Sequence, residues 1–192
     1  CIRDSPIVAL IILPFFLILK ILPFKISSLI CGSLVYLIAP FTKYQKRVLN
    51  NLNIAFPQKK EVEKIKISKR FWFNFGQIIG ELPHIDKIIS SKKILISGHK
   101  KIQKGPAILI GAHLANWEFL LRVGEMSGRR VSFVYRPINN WILNKLQFSR
   151  NSKINADFFK KGRAAAIGMA NKLKKGEVIG LTNDQILREG IM

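Results

Sequence analysis

A chain of 192 residues carries 32 Lys and Arg against 11 Asp and Glu, a formal charge of +21, and is still 48% hydrophobic with 13 Phe. The length holds one domain plus an anchor, and the charge asks for an anionic partner: nucleic acid, an anionic membrane surface, or an acidic substrate or protein. The apolar content argues against a nucleic-acid-binding tail and fits a protein lying against a membrane. Cys1 and Cys31 make neither a metal spacing nor a disulfide framework, and Cys31 reads as a small apolar filler. The first residue is not Met and the last is Met192, two past Gly190, which reads as a fragment or a truncated frame.

Residues 5–19, SPIVALIILPFFLIL, carry no charge. A spanning helix needs about 20 mostly apolar residues, and 6–24 qualify if Lys20 snorkels to an interface. The uncharged run 26–41 reads as a re-entrant or interfacial helix, or as the other half of a hairpin. A signal peptide is the rival reading, but no small-residue cleavage site is evident. From 42 to 70 nine Lys or Arg face only Glu61 and Glu63. Positive flanks stay cytoplasmic, so the globular part is expected to face the cytoplasm and to touch anionic headgroups. Residues 61–82 predict an amphipathic helix with Ile65, Trp72, Phe75, Ile79 and Leu82 toward the core. Membrane contact by its aromatic cluster is the other reading.

Beyond residue 92 the texture changes. KILIS (93–97), PAILIGAH (106–113), VSFVYR (131–136) and GEVIGLTND (176–184) predict strands. Helices are expected at 116–127, near 140–150, and over 162–176, where Gly176 ends an Ala-rich run. The expected architecture is α/β: a mixed, largely parallel sheet flanked by helices, behind an N-terminal membrane-anchoring helix. The boundaries expected are 1–41 for anchor and interfacial helix, 42–92 for a basic helical segment, and 93–192 for an α/β core incomplete at its C-terminus.

Three predicted strands end in polar residues: His113, Arg136 and Asp184. Ligands in parallel α/β sheets bind outside the carboxyl ends of the strands. Polar residues also begin there for no functional reason, a comfortable account of one such residue and a weaker one of three. His113 and Glu118 lie five apart, about 140° around an ideal helix, so they meet only if His113 ends the strand and Glu118 lies in the next helix's first turn, with Asn116 as N-cap. Such a pair suits general-base catalysis, Glu118 orienting the imidazole that takes a proton from a hydroxyl. A lone His followed by Glu is more often an ordinary strand-to-helix junction than a catalytic pair. No G-x-S-x-G supplies a serine nucleophile, and no H-E-x-x-H or Cys cluster supplies a metal set. GHKKIQKG (98–105) lacks the ending of a phosphate loop, and His84 and His99 read as packing or surface residues.

GAHLANWE (111–118), followed by VYRP (134–137) and LKKGEVIGLTNDQ (173–185), resembles the late acyltransferases of lipid A biosynthesis, the lauroyl/myristoyl type. RVLNNLNIAFP (47–57) is similar to the segment that follows that family's N-terminal membrane helix. The His-x4-acid motif alone is shared with glycerolipid acyltransferases; Tyr135-Arg136-Pro137 and Asp184-Gln185 make the likeness more specific. The resemblance implies transfer of a fatty acyl chain from acyl carrier protein to a hydroxyl of a phosphorylated glycolipid acceptor, without cofactor, metal or nucleic acid. It implies His113 as base, Glu118 as its partner, and Arg136, Arg150, Asp184 and Gln185 as substrate-binding residues. Arg136's planar fork suits a phosphate or sugar; a solvent-exposed arginine is the plainer reading. Asp184 would orient Arg136, line the pocket or cap a turn, and Trp117 would pack. Family members continue well beyond residue 192, so an inactive membrane-bound fragment stands beside the enzyme reading, as does a glycerolipid-type acyltransferase.

Overall fold

The computed structural model describes residues 6–91, 97–98, 102, 104–122, 124, 127–145 and 154–184. Two compact units emerge: a helical unit, Pro14–Ser91, and a sheet unit made of the remainder.

Helix α1 runs Pro6–Ile21 and α2 runs Phe24–Ile38. The tripeptide Leu-Pro-Phe occurs twice with opposite outcomes. Pro14 lies inside α1, whereas Pro23 separates the two helices, because proline restricts the residue before it and removes a donor. By length and composition, the helix apolar enough to cross a membrane among the described residues is Phe24–Phe41, near the N-terminus. This differs from the span expected over 6–24, since the chain breaks at Leu22–Pro23.

Helix α3 is Lys43–Ala55 and α4 is Glu61–Glu81. At the start of α4 the Lys60 N–H donates to Glu63 Oε2 at 3.1 Å, as a reciprocal cap requires. The helix forms as expected, but its buried stripe differs. Lys64, Ser68, Trp72, Gly76 and Gly80 are buried, while Ile65 and Phe75 are exposed. The cause is backbone approach. A Cβ on Gly76 would lie 2.3 Å from the Cys31 carbonyl oxygen, and one on Gly80 2.4 Å from that of Ser27. Small residues four apart let α2 lie against α4, as in close-packed helix pairs. Ser27 Oγ donates to the Gly80 carbonyl at 2.6 Å. Trp72 Nε1 donates to Gln45 Oε1 at 2.6 Å, and Gln45 Nε2 to Ser68 Oγ at 3.0 Å, joining α3 to α4. A short helix α5, Ile85–Ser90, follows a 3₁₀ turn at Leu82–His84. His84 is buried, its Nε2 donating to the Leu19 carbonyl at 2.8 Å.

The sheet unit holds β1 (Ala107–Gly111), β2 (Val131–Tyr135), β3 (Ala156–Lys160) and β4 (Val178–Thr182). They stand in the order β1-β4-β2-β3 and every pairing is parallel. The expected largely parallel sheet is therefore present. The expected strand at 93–97 lies essentially outside the described residues. Strand β3 was not expected. Ala156-Asp157-Phe158-Phe159-Lys160 has few strand-favouring residues, and pairing along β2, from Val131↔Ala156 to Tyr135↔Lys160, decides its conformation. Val131, Val178, Phe133, Ile154 and Ala156 form the core, backed by Leu109, Leu121 and Phe158.

One of the expected helices changes, in its first half. A 3₁₀ helix occupies Trp117–Arg122, the first part of the helix expected over 116–127, and Gly124 and Ser127 beyond it are α-helical. The chain turns out at Gly128 (φ 69°), where the Arg129 N–H donates to the Gly124 carbonyl at 2.9 Å, the closing bond of a glycine C-cap. The helix expected near 140–150 is described at 141–145, capped by buried Asn140, whose Oδ1 accepts from the N–H groups of Ile142 and Leu143, and 146–150 lie outside the described residues. Helix α6, Arg163–Lys174, closes as expected at Gly176 (φ 77°), with the Glu177 N–H on the Lys172 carbonyl. Lys172 bonds Asp157 at 2.8 Å and Glu177 at 2.7 Å, tying α6 to β3 and to the approach of β4.

Candidate active site

Parallel strands place their carboxyl ends together, so His113, Arg136 and Asp184 share one rim. Register makes the meeting specific. Ala107 pairs with Val178 and Gly111 with Thr182. Continuing that offset two residues past the strands brings His113 opposite Asp184. The His113 backbone N–H donates to Asp184 Oδ2 at 2.7 Å, and its Nδ1 lies 2.8 Å from Oδ1. One carboxylate thus grips both the main chain and the ring of the histidine. Since a carboxylate only accepts, Nδ1 carries the proton and Nε2 is left as the basic nitrogen. The bond from the imidazole, followed by that from the backbone N–H, holds the Asp184 carboxyl below the usual carboxylate range. Trp117 sets its ring edge against the imidazole, centroids 5.2 Å apart at 60°.

The bend between His113 and the 3₁₀ helix contains Ala115 at φ 47°, the one non-glycine residue with positive φ among those described. Such a backbone costs roughly 1–2 kcal/mol in an L-residue and is held by its surroundings. Asn116 caps the next turn as expected: its Oδ1 accepts the Glu118 N–H at 3.3 Å, and its carbonyl accepts the Phe119 N–H. Glu118 lies half-buried in that first turn.

Arg136 stands exposed one residue beyond β2. Lys160 ends β3, and the Lys161 N–H donates to the Tyr135 carbonyl, so Lys160, Lys161 and Arg163 extend the cationic rim. Sequence reasoning passed over these three because β3 itself was not expected. Arg150 and Gln185 lie outside the described residues. Just below the rim, Ile110 pairs with Leu181, and Val134 follows the last β2–β4 pair, Phe133↔Gly180. All three are exposed, at 68%, 39% and 39%, giving an apolar row across one sheet face. Among the described residues no three His, Cys, Asp or Glu side chains gather as a metal set.

A family model described as bacterial lipid A biosynthesis acyltransferase matches residues 5–190. No curated protein matches the chain. With nearly its whole length matched, the chain belongs to the bacterial lipid A biosynthesis acyltransferase family.

Proposed function

We propose that this member of the lipid A acyltransferase family moves a fatty acyl chain from acyl carrier protein to a hydroxyl of a phosphorylated glycolipid, a lipid A precursor, at the cytoplasmic face of the inner membrane. The observation that carries the reading is the two-bond grip of Asp184 on His113 at the carboxyl rim of a parallel sheet. Nε2 of His113 takes the proton of the acceptor hydroxyl. The oxygen attacks the thioester carbonyl, the C–O bond forms, the C–S bond breaks, and the imidazolium returns its proton to the departing thiolate. Asp184 holds the tautomer that makes Nε2 the base and steadies the positive ring. Glu118 acts as the second acid beside the histidine, as the His-x4-Glu pattern implies.

Arg136, joined by Lys160 and Lys161, takes the phosphate of the acceptor, for which a planar guanidinium is suited. The same cationic rim attracts an acidic carrier protein. Arg150 and Gln185 keep the substrate-binding roles that the motifs imply. The row Ile110–Leu181–Val134 offers the acyl chain an apolar floor. The α1 segment serves as the anchor, keeping the rim near a substrate that stays in the bilayer.

The test is transfer from labelled acyl carrier protein to a tetra-acylated lipid A precursor. His113→Ala should lower kcat/KM by about 10³-fold, within the span of general-base contributions. Asp184→Asn, which retains shape but loses the charge, should lower it by about 10² on the same scale. Undiminished turnover in His113→Ala would remove the mechanism. Acylation of a glycerol phosphate in preference to the glycolipid would move the chain to glycerolipid chemistry.

A further inference from the structure

The helix that by composition is able to cross a membrane turns its apolar surface, Leu29 and Ile38 included, away from one polar, buried face. Ile26, Ile30, Leu34, Leu37 and Phe41 recur at spacings of three and four and are all exposed. The opposite face carries Ser27, Ser28, Cys31 and Gly32, and all four are buried. That face is covered by α4, and the two helices run antiparallel. Ser27 meets Gly80, Cys31 meets Gly76, and Lys69 Nζ lies 5.9 Å from the centre of the Tyr36 ring. Ser28 Oγ reaches Glu81 at 3.2 Å. The pairing therefore extends along most of α2.

Three consequences exclude a crossing. A hydrocarbon slab about 30 Å thick, centred on the Cys31–Gly76 contact, would enclose Lys66, Lys69 and Arg70 of α4, and charged groups at that depth are costly. Basic residues flank both ends of α2, Lys20 and Lys25 before it and Lys43, Lys46 and Arg47 after it. A crossing would leave one basic flank outside, against the positive-inside bias. A helix with one apolar stripe and a polar, covered back is built for an interface.

We propose that α2 does not span the bilayer. It lies in the plane of one leaflet, its Ile26–Phe41 stripe sunk to the acyl boundary of an anionic membrane, with α4 as its cytoplasmic backing and the flanking lysines on the phosphates. This rests on the reading that the chain works at a membrane, and it adds that the polypeptide meets the lipid surface with a second, non-crossing helix besides α1.

The segment Phe24–Phe41 is 18 residues, about 27 Å of helix, so its two ends report its orientation. In the full chain carrying Cys1→Ser and Cys31→Ser, Lys25→Cys and Lys43→Cys are introduced singly, both at exposed positions. A membrane-impermeant maleimide is then applied to spheroplasts and to inverted inner-membrane vesicles from expressing bacteria. Both cysteines should label in inverted vesicles and stay protected in spheroplasts until detergent is added. Labelling of one from each side overturns the proposal and leaves membrane attachment standing. Labelling of both in spheroplasts alone keeps α2 in one leaflet but refutes the cytoplasmic placement. Recovery of the chain in the soluble fraction removes the membrane reading itself, and this inference with it.

Discussion

In the helical unit the buried positions include Ser27, Ser28, Lys64, Ser68 and His84, while Leu29, Leu34, Leu37 and Phe41 are exposed. In the sheet unit Val131, Val178, Ile179 and Phe133 are buried, and His113, Arg136 and Asp184 stand at the rim. The helical unit buries hydroxyls behind an exposed apolar stripe, whereas the sheet unit buries an apolar core beneath a polar rim. The two therefore answer to different surroundings. The helical unit derives its cohesion from close backbone approach and buried hydrogen bonds, which still work when the outside is lipid. The sheet unit depends on removing apolar surface from water.

Truncating the core of the sheet should sharpen that contrast most. Phe133 is buried, and its ring fills the space that a Cβ on Gly180 would occupy, at 2.2 Å. Phe133→Ala should cost about 3–5 kcal/mol, read as lost amide protection in β2 and β4 while α2 and α4 keep theirs. The complementary change is Gly76→Ala. Its Cβ would strike the Cys31 carbonyl, and the expected cost is about 1–3 kcal/mol, with exchange accelerating in α2 and α4. Equal loosening of both units by either change would break the comparison.

The smallest effect concerns the rim and is a pH dependence. Asp184 has a depressed carboxyl in the folded chain. Its contribution to stability is thus fully present above the ordinary carboxylate value and is lost as pH falls through the lower, folded value. A carboxyl-carbon NMR titration should find Asp184 still ionised at a pH where the aspartate residues of an unstructured reference peptide are already protonated. Co-titration with those residues would mean that the grip on His113 is absent in solution.

Much of the rim was legible from residues alone. The apolar runs ending at His113, Arg136 and Asp184 read as strands because four or five apolar positions stop at a polar one. Which strand lies beside which is not written in any one segment. Asp184 was readable as a partner for Arg136, and it binds His113 because β4 inserts next to β1 with Gly111 on Thr182. The stripe of α4 was misread for a related reason: a helical wheel ranks Phe75 above Gly76, but close approach of α2 favours the glycine. Asn116 and Gly176 were legible because caps act within one turn of their own position.

The strand order has a consequence for how the protein comes into being. β4 is the last strand described, yet it sits in the interior of the sheet between β1 and β2. While the ribosome is still making residues 107–160, β1 and β2 have no backbone pairing with each other. The nascent sheet stays open at its middle until Val178–Thr182 has emerged and docked. Because Asp184 follows that strand by two positions, the histidine is gripped only when the gap closes, so the rim contact and the bridging of β1 to β2 are one event.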